Sequence, residues 1–158
     1  MKLSTRARYG LRALIDLGVY SENEAVSIQS IADRQNISDS YLEQLMARLK
    51  KAGLVTSSRG VQGGYRLSRP AGEISVGEVL RVLEGGLDAV VCPGTTDQTE
   101  GCQESDFCVT KLVWKRINDG INEAVDTLML DQLIRESRIA EENRGQNKTD
   151  ETRRACTP

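Results

Sequence analysis

The stretch from Ser27 to Leu67 constrains the fold more than any other part of this chain. Ile28, Ile31, Ala32 and Gln35 recur at the i, i+3, i+4, i+7 spacing of a helix with one buried face. Ser27 precedes them as a cap, and Asn36 follows as a residue that tolerates the left-handed conformation at a helix end. After the short link Asn36-Ile37-Ser38, a second helical pattern begins. Ser38 caps it, Asp39 suits the positive end of its dipole, and Leu42, Leu45, Met46 and Leu49 form its buried stripe up to a stop at Gly53. Short strands are predicted over Leu54–Ser57 and Gly64–Leu67, with the glycine-rich run Ser58–Gly63 as the turn between them. Two helices joined by so tight a turn and followed by a hairpin make a winged helix-turn-helix.

The flanking segments extend this core. Leu11, Leu14, Ile15, Gly18 and Val19 predict a first amphipathic helix from about Ser4 to Val19, with a polar break at Ser21–Glu24. Within Ile74–Val79, Ser75 and Glu78 have the spacing of a capping box, and Ile74 with Val79 that of a hydrophobic staple. They start a short helix that Gly85-Gly86 stops. A loop covers 87–107. A long helix is then predicted from Phe107 to Leu130, with an apolar seam of Val109, Val113, Ile117, Ile121, Ala124 and Leu128. Such a seam exceeds what one small domain can cover, so it pairs with its own copy or, in the alternative, packs on its own domain. Asp131–Ser137 adds at most a short turn of helix, and the polar residues beyond Arg138 are expected to be disordered. The expected fold class is mainly α with a small β-hairpin. The expected organisation is a DNA-binding winged domain over 1–84, a cysteine-containing loop over 85–108, a dimerisation helix over 109–137 and a polar tail over 138–158.

Charge is divided unevenly. Residues 1–70 hold eleven Lys/Arg against six Asp/Glu, whereas the whole chain has a net charge of -2. A basic first half on an acidic second half suggests that only the first meets a polyanion. No run of about 18 apolar residues exists, so no membrane span is expected. Asp16 interrupts the apolar stretch Leu11–Val19, which argues against a secretory signal and for a cytoplasmic protein.

The second helix of a helix-turn-helix enters the major groove with its N-terminal residues toward the bases. Here those residues are Ser38, Ser40, Tyr41, Glu43 and Gln44. Positions 40, 43, 44 and 47 share a face opposite the leucine stripe. Gln44 has the groups for a paired contact with adenine, and Glu43 can accept from the cytosine amino group. Arg48, Lys50 and Lys51 lie toward phosphate, and Arg59 at the wing tip can enter a narrow minor groove. The plainer alternative is a solvated helix face and a surface arginine.

Cys92, Cys102 and Cys108 cluster in the loop, and a fourth cysteine, Cys156, stands near the end. Three thiolates in one loop suit a soft metal or an iron–sulfur cluster. At the start of a helix, Cys108 gains from the positive helix end. A closed zinc site wants four ligands, commonly cysteine and histidine. The chain contains no histidine, so zinc would need a carboxylate or Cys156. Cysteines without a metal are the third alternative.

Ile37-Ser38-Asp39-Ser40-Tyr41-Leu42-Glu43-Gln44-Leu45 resembles the recognition helix of the IscR-type iron–sulfur cluster regulators. Gly53-Leu54-Val55 and Arg59-Gly60-Val61-Gln62-Gly63-Gly64-Tyr65 resemble their strand and wing, and Ile74–Val79 and the cysteine cluster also fit. The resemblance runs from Met1 to about Ser137. The wider family also holds the nitric-oxide sensor NsrR and the cysteine-metabolism repressor CymR. The resemblance implies a winged-helix homodimer on palindromic double-stranded DNA, crossing two long helices. It implies that Ser40, Glu43, Gln44 and Arg59 contact or discriminate DNA, and that an iron–sulfur cluster, by preference 2Fe–2S and otherwise 4Fe–4S, sits on the three cysteines. The chain departs from the pattern at Lys111, where the IscR type has a histidine three residues after the last cysteine. The acid that serves some nitric-oxide sensors is matched here by Arg8. Glu104 and Asp106 are the nearby oxygen candidates for a fourth ligand, with Cys156 or an external thiol as the other candidates.

The function expected is a cluster-sensing transcription regulator of iron–sulfur assembly genes, with no membrane and no small-molecule substrate. The alternatives are a cluster-free or nitric-oxide-responsive repressor of the same family and, more remotely, an iron–sulfur electron carrier. An enzyme is not expected: there is no histidine base, nucleotide loop or evident acid pair.

Overall fold

Serine starts the first four α-helices, and each uses its hydroxyl in the same way. Ser4 accepts from the N–H groups of Arg6 and Ala7 and begins α1 (Thr5–Tyr20). Ser27 accepts from Ser30 ahead of α2 (Ile28–Gln35), Ser38 from Tyr41 ahead of α3 (Asp39–Lys51), and Ser75 from Glu78 ahead of α4 (Val76–Glu84). All four have extended backbone, so the chain turns into each helix with an otherwise orphaned N–H satisfied. The computed structural model describes residues 3–21, 24–60, 63–90 and 108–155, with the side chains of 145–155 excluded.

The helix-turn-helix forms as the spacing predicts. Asn36 takes φ 52° and ψ 53°, the left-handed conformation that ends α2 and turns the chain into α3. A hairpin follows: β1 (Val55–Ser58) pairs antiparallel with β2 (Gly64–Leu67) in the register Val55 with Leu67 and Ser58 with Gly64. Val26 adds a single further bridge. Its N–H donates to the Tyr65 carbonyl at 2.9 Å and its carbonyl accepts from the Tyr65 N–H at 2.8 Å. Gly64 permits that approach, because a Cβ there would sit 2.5 Å from the Val26 carbonyl oxygen. The wing is thereby stitched to the segment before α2.

One core joins the elements. Leu14 and Leu17 of α1, Ile31 of α2, Leu42, Leu45, Met46 and Leu49 of α3, Leu54, Ile74 and Leu83 are all at most 1 % exposed. Each such leucine stabilises the fold by about 1.5–3 kcal/mol relative to exposure. Ile74 and Val79 are both fully buried, consistent with the staple. The capping box is only half made, since the Glu78 carboxylate pairs with Arg69 at the base of the wing.

The C-terminal half departs from the expectation in two ways. The single long helix is broken: α5 (Thr110–Asp126) ends, and α6 (Leu130–Ala155) starts after three residues. The break is built by pairing with the chain ahead of α4. The Val76 N–H donates to the Leu128 carbonyl at 2.8 Å, and the Leu130 N–H to the Ile74 carbonyl at 2.9 Å. Leu130, with no exposure, and Ile134 then join the main core, so α6 lies against α1 and is no mere turn. Truncating Leu130 to alanine would cost about 2–5 kcal/mol. The segment beyond 138, expected to be disordered, continues α6 as helix as far as Ala155. Low apolar content removes a reason to pack, but Glu, Arg, Gln and Lys are good helix formers, and a helix already anchored at Leu130 needs no new nucleus.

Candidate DNA interface and cysteine segment

The buried stripe of α3 fixes which of its residues face outward. Ser38, Ser40, Glu43, Gln44, Ala47 and Arg48 are all exposed, and Leu42, Leu45, Met46 and Leu49 all buried. The polar face is therefore free to enter a groove along its length. Tyr41 differs from its neighbours. It is half-buried and meets Tyr9 of α1 edge-on, with ring centroids 6.2 Å apart. Arg12 stands over the other ring, 5.4 Å from the Tyr9 centroid, and its Nε donates to Gln35 at 2.9 Å. Tyr41 thus joins α3 to α1 and offers less surface to a partner than its position suggests.

Arg48 and Lys51, at the far end of α3, border a hollow beside Val82 of α4. Lys50 reaches across to donate to the Ser57 hydroxyl at 2.6 Å, which ties the helix to the wing strand. Arg59 is exposed just past the end of β1, in the connection between the two strands of the hairpin. Exposed bases on α3 and past β1 are what a polyanion-binding surface requires.

Of the three clustered cysteines, only Cys108 is among the described residues. Cys92, Cys102 and the oxygen candidates Glu104 and Asp106 lie outside them, as does Cys156. Cys108 is half-buried immediately ahead of α5, with its Sγ 3.0 Å from the Thr110 hydroxyl. Val109 caps α5 without a side-chain bond, and Lys111 stands in the first turn. Among the described residues no three His, Cys, Asp or Glu side chains gather as a metal site. Cys92, Cys102 and Cys108 supply three of the four thiolates that an iron–sulfur cluster ordinarily takes, a donor set that fits such a cluster once a fourth ligand is found.

α5 has two unlike faces. Toward its own chain it turns Trp114, Asn118, Ile121, Asn122 and Val125, all buried or half-buried. Asn118 is 3 % exposed, and its side chain bonds the backbone of Ala89 and Val90. Asn122 and Asp126, each one turn further, accept from Arg81 of α4. The Arg81–Asp126 bond holds the Asp126 carboxyl below its ordinary pKa and raises that of Arg81. Outward, Val109 is 78 % exposed, Leu112 72 %, Val113 51 % and Ile117 39 %, and the last three with Arg116 line an open hollow. The predicted seam is therefore split. Its upper residues face outward, and Ile121 and Leu128 pack against a second small cluster with Ala7, Val76, Leu80 and Leu87.

A further polar cluster escaped the sequence reading. Asp16, 4 % exposed within α1, accepts from Arg34 Nη2 at 2.7 Å and from Gln35 Nε2 at 2.9 Å. Arg34 also lies over the Tyr20 ring at 4.1 Å, and the Tyr20 hydroxyl donates to Glu141 of α6. Burial first, and then Glu141, pushes the Tyr20 pKa up. The available signal was an acid inside the apolar run of α1 and a base in the last turn of α2.

A helix-turn-helix followed by a hairpin wing, with the polar face of the second helix turned outward, is the fold of a DNA-binding transcription regulator. More narrowly, the chain belongs to the Rrf2 family: the family model described as "Iron-dependent Transcriptional regulator" matches residues 3–136. It is 40% identical over 139 residues to the HTH-type transcriptional regulator IscR of Pectobacterium carotovorum, covering 88% of this chain and 82% of the relative. It is 38% identical over 154 residues to that of Enterobacter sp. strain 638, covering 98% and 91%. Among solved structures it is similar to T. potens IscR, with a TM-score of 0.70 and 41% identity over 89% of this chain and 90% of that one. It is equally similar to CymR, the global cysteine regulator of B. subtilis, with a TM-score of 0.70 and 36% identity over 85% and 96%. These relatives are transcription regulators, not enzymes. Among the described residues no helix is long and apolar enough to cross a membrane.

Proposed function

We propose that this regulator acts as a homodimer on palindromic operators and adjusts its DNA affinity to an iron–sulfur cluster on Cys92, Cys102 and Cys108. The observation that carries this reading is the head of α5. There Cys108 stands directly before an apolar face of Val109, Leu112, Val113 and Ile117 that its own chain leaves open. A second copy is the natural cover, since its α5 presents the same self-complementary face. Ser38, Ser40, Glu43 and Gln44 read bases, Arg48 and Arg59 meet the backbone and minor groove, and Tyr41 supports them from behind through Tyr9. Glu43 adds selectivity, because an acid in the groove penalises sites that offer it no donor. Target genes of iron–sulfur assembly are the most direct use of such a sensor.

The three thiolates would hold the cluster, which supplies a redox- and oxygen-sensitive occupant. With Lys111 where a histidine is expected, Glu104, Asp106 or an exogenous ligand completes the fourth position, and a 2Fe–2S form is preferred. The test is a visible absorption spectrum of anaerobically purified protein, with operator binding measured before and after air. A chromophore that disappears in each of Cys92→Ala, Cys102→Ala and Cys108→Ala, with altered operator affinity, supports the reading. A colourless protein with full operator binding favours the second reading, a cluster-free repressor of the same family, to which the substitution at Lys111 lends weight.

A further inference from the structure

Asn118 is a buried amide on a helix face that could have been filled by an apolar side chain, as its neighbour Ile121 is. Its side chain is instead spent on the chain that leads to Cys92. Oδ1 accepts from the N–H of Ala89 at 2.9 Å and of Val90 at 3.3 Å, and Nδ2 donates to the Val90 carbonyl at 2.8 Å. Ala89 and Val90 belong to neither helix nor strand, so these backbone groups depend on a side chain for partners. Leu87, 3 % exposed, pins the same segment to the second apolar cluster. The chain is thus fastened two residues before Cys92 in sequence, at a point about 12 Å along α5 from its first residue, Thr110, at 1.5 Å per residue.

The fastening continues inward. Asn122 Nδ2 donates to the Asn118 carbonyl at 2.9 Å, and Asn122 Oδ1 accepts from Arg81 of α4, which also grips Asp126. An unbroken line of hydrogen bonds therefore runs from Val90 through Asn118 and Asn122 to α4, the helix that follows the wing.

We infer that Asn118 is a positioning residue that holds Ala89–Val90, the segment that leads in sequence to Cys92, against α5, the helix that Cys108 precedes, and so couples the state of the cysteines to the seating of α5 on the DNA-binding half. The inference rests on the iron–sulfur reading above. Asn118 touches neither metal nor DNA; it acts through Ala89 and Val90 on one side and Asn122 on the other.

The test compares full-length wild type, Asn118→Leu and Asn118→Asp. In the metal-free chain, the Ala89 and Val90 amides should exchange slowly in wild type, rapidly in Asn118→Leu and again slowly in Asn118→Asp, which keeps the acceptor. Amides of α3 should not change. After anaerobic cluster assembly, the ratio of loaded to metal-free operator affinity should fall to within about twofold of one in Asn118→Leu, against the roughly 5–150-fold of ordinary coupling between sites. Failure of Asn118→Leu to assemble the cluster, with α3 amides still protected, would equally support a lost register. Should Asn118→Leu fail to fold, partial recovery of the ratio in Asn118→Asp carries the same weight. Unchanged exchange at Ala89 and Val90, or a wild-type affinity ratio in Asn118→Leu, overturns the inference. A wild type that binds no cluster sinks the reading beneath it and the inference together, and is recognised in the wild type alone.

Discussion

The guanidinium of Arg81 on α4 grips the carboxylate of Asp126 on α5 with both prongs, Nη1 to Oδ1 at 2.6 Å and Nη2 to Oδ2 at 2.8 Å. The pair fits because residue 77, one turn before Arg81, is glycine. A Cβ at Gly77 would stand 2.0 Å from Asp126 Oδ1 and 2.9 Å from Arg81 Nη1. The junction between the DNA-binding half and α5 is thus set by a fork seated over a bare stretch of helix.

Gly77→Ala should therefore push the ends of the Asp126 and Arg81 side chains apart, a cost that the better helix propensity of alanine, about 1 kcal/mol, offsets, so the net change in stability should stay within about 1 kcal/mol. Urea unfolding measures it. In an Asp126→Ala background the obstructed oxygen is gone, and the same substitution should cost less. Equal costs in the two backgrounds would show that the two residues do not meet.

The same carboxylate sets a pH dependence. Its pKa is held below the ordinary 3.8, chiefly by the Arg81 bond. A depressed acid stabilises the fold above its unfolded pKa and loses that contribution as pH falls through the folded value. The stability difference between wild type and Asp126→Asn should be constant above about pH 5 and shrink below about pH 4. Both groups are more than a third exposed, so the effect is modest. Fluorescence of Trp114, the one tryptophan and a residue of α5, follows the transition. A difference that instead changes near neutrality would rule this assignment out.

Gln44→Ala should lose about 1–3 kcal/mol on the cognate operator and relax preference at one base pair. Arg59→Ala should weaken binding to all sequences alike and reduce the salt slope by about 1. Fluorescence anisotropy across a salt series separates the two behaviours. Wild-type affinity in both variants would remove α3 and the wing from the interface.

Val113→Glu places a charge on the open face of α5 and should give monomers by light scattering while leaving the monomer fold intact, because Val113 is 51 % exposed within its own chain. Ile121 is a poorer probe, since it also packs on its own second cluster. Monomers should bind operators weakly, as two recognition helices must span about 34 Å on one face of DNA. A wild type already monomeric at micromolar concentration would end the dimer reading.

Local signals in the sequence determined the winged half of this protein. Ser27, Asn36 and Ser38 act on neighbours within a few residues, and a leucine stripe at helical spacing has one way to face inward, so α2, α3 and the outward placement of Ser40, Glu43 and Gln44 were legible before any coordinates. Tertiary structure decided the rest. The seam from Val109 to Leu128 reads as one helix because periodicity does not register a partner; the break at Thr127–Met129 exists because Ile74 and Val76 offer backbone bonds there. Asn118 and Asn122 stand one turn apart and look like part of a solvated stripe, yet they face inward because Arg81 and the backbone of Ala89 and Val90 are brought to them by contacts remote in sequence. Asp16 is kept in the interior on the same ground, by Arg34 from the next helix. A polar residue's side of a helix is set by where its bonding partners lie, and only the folded chain supplies those partners.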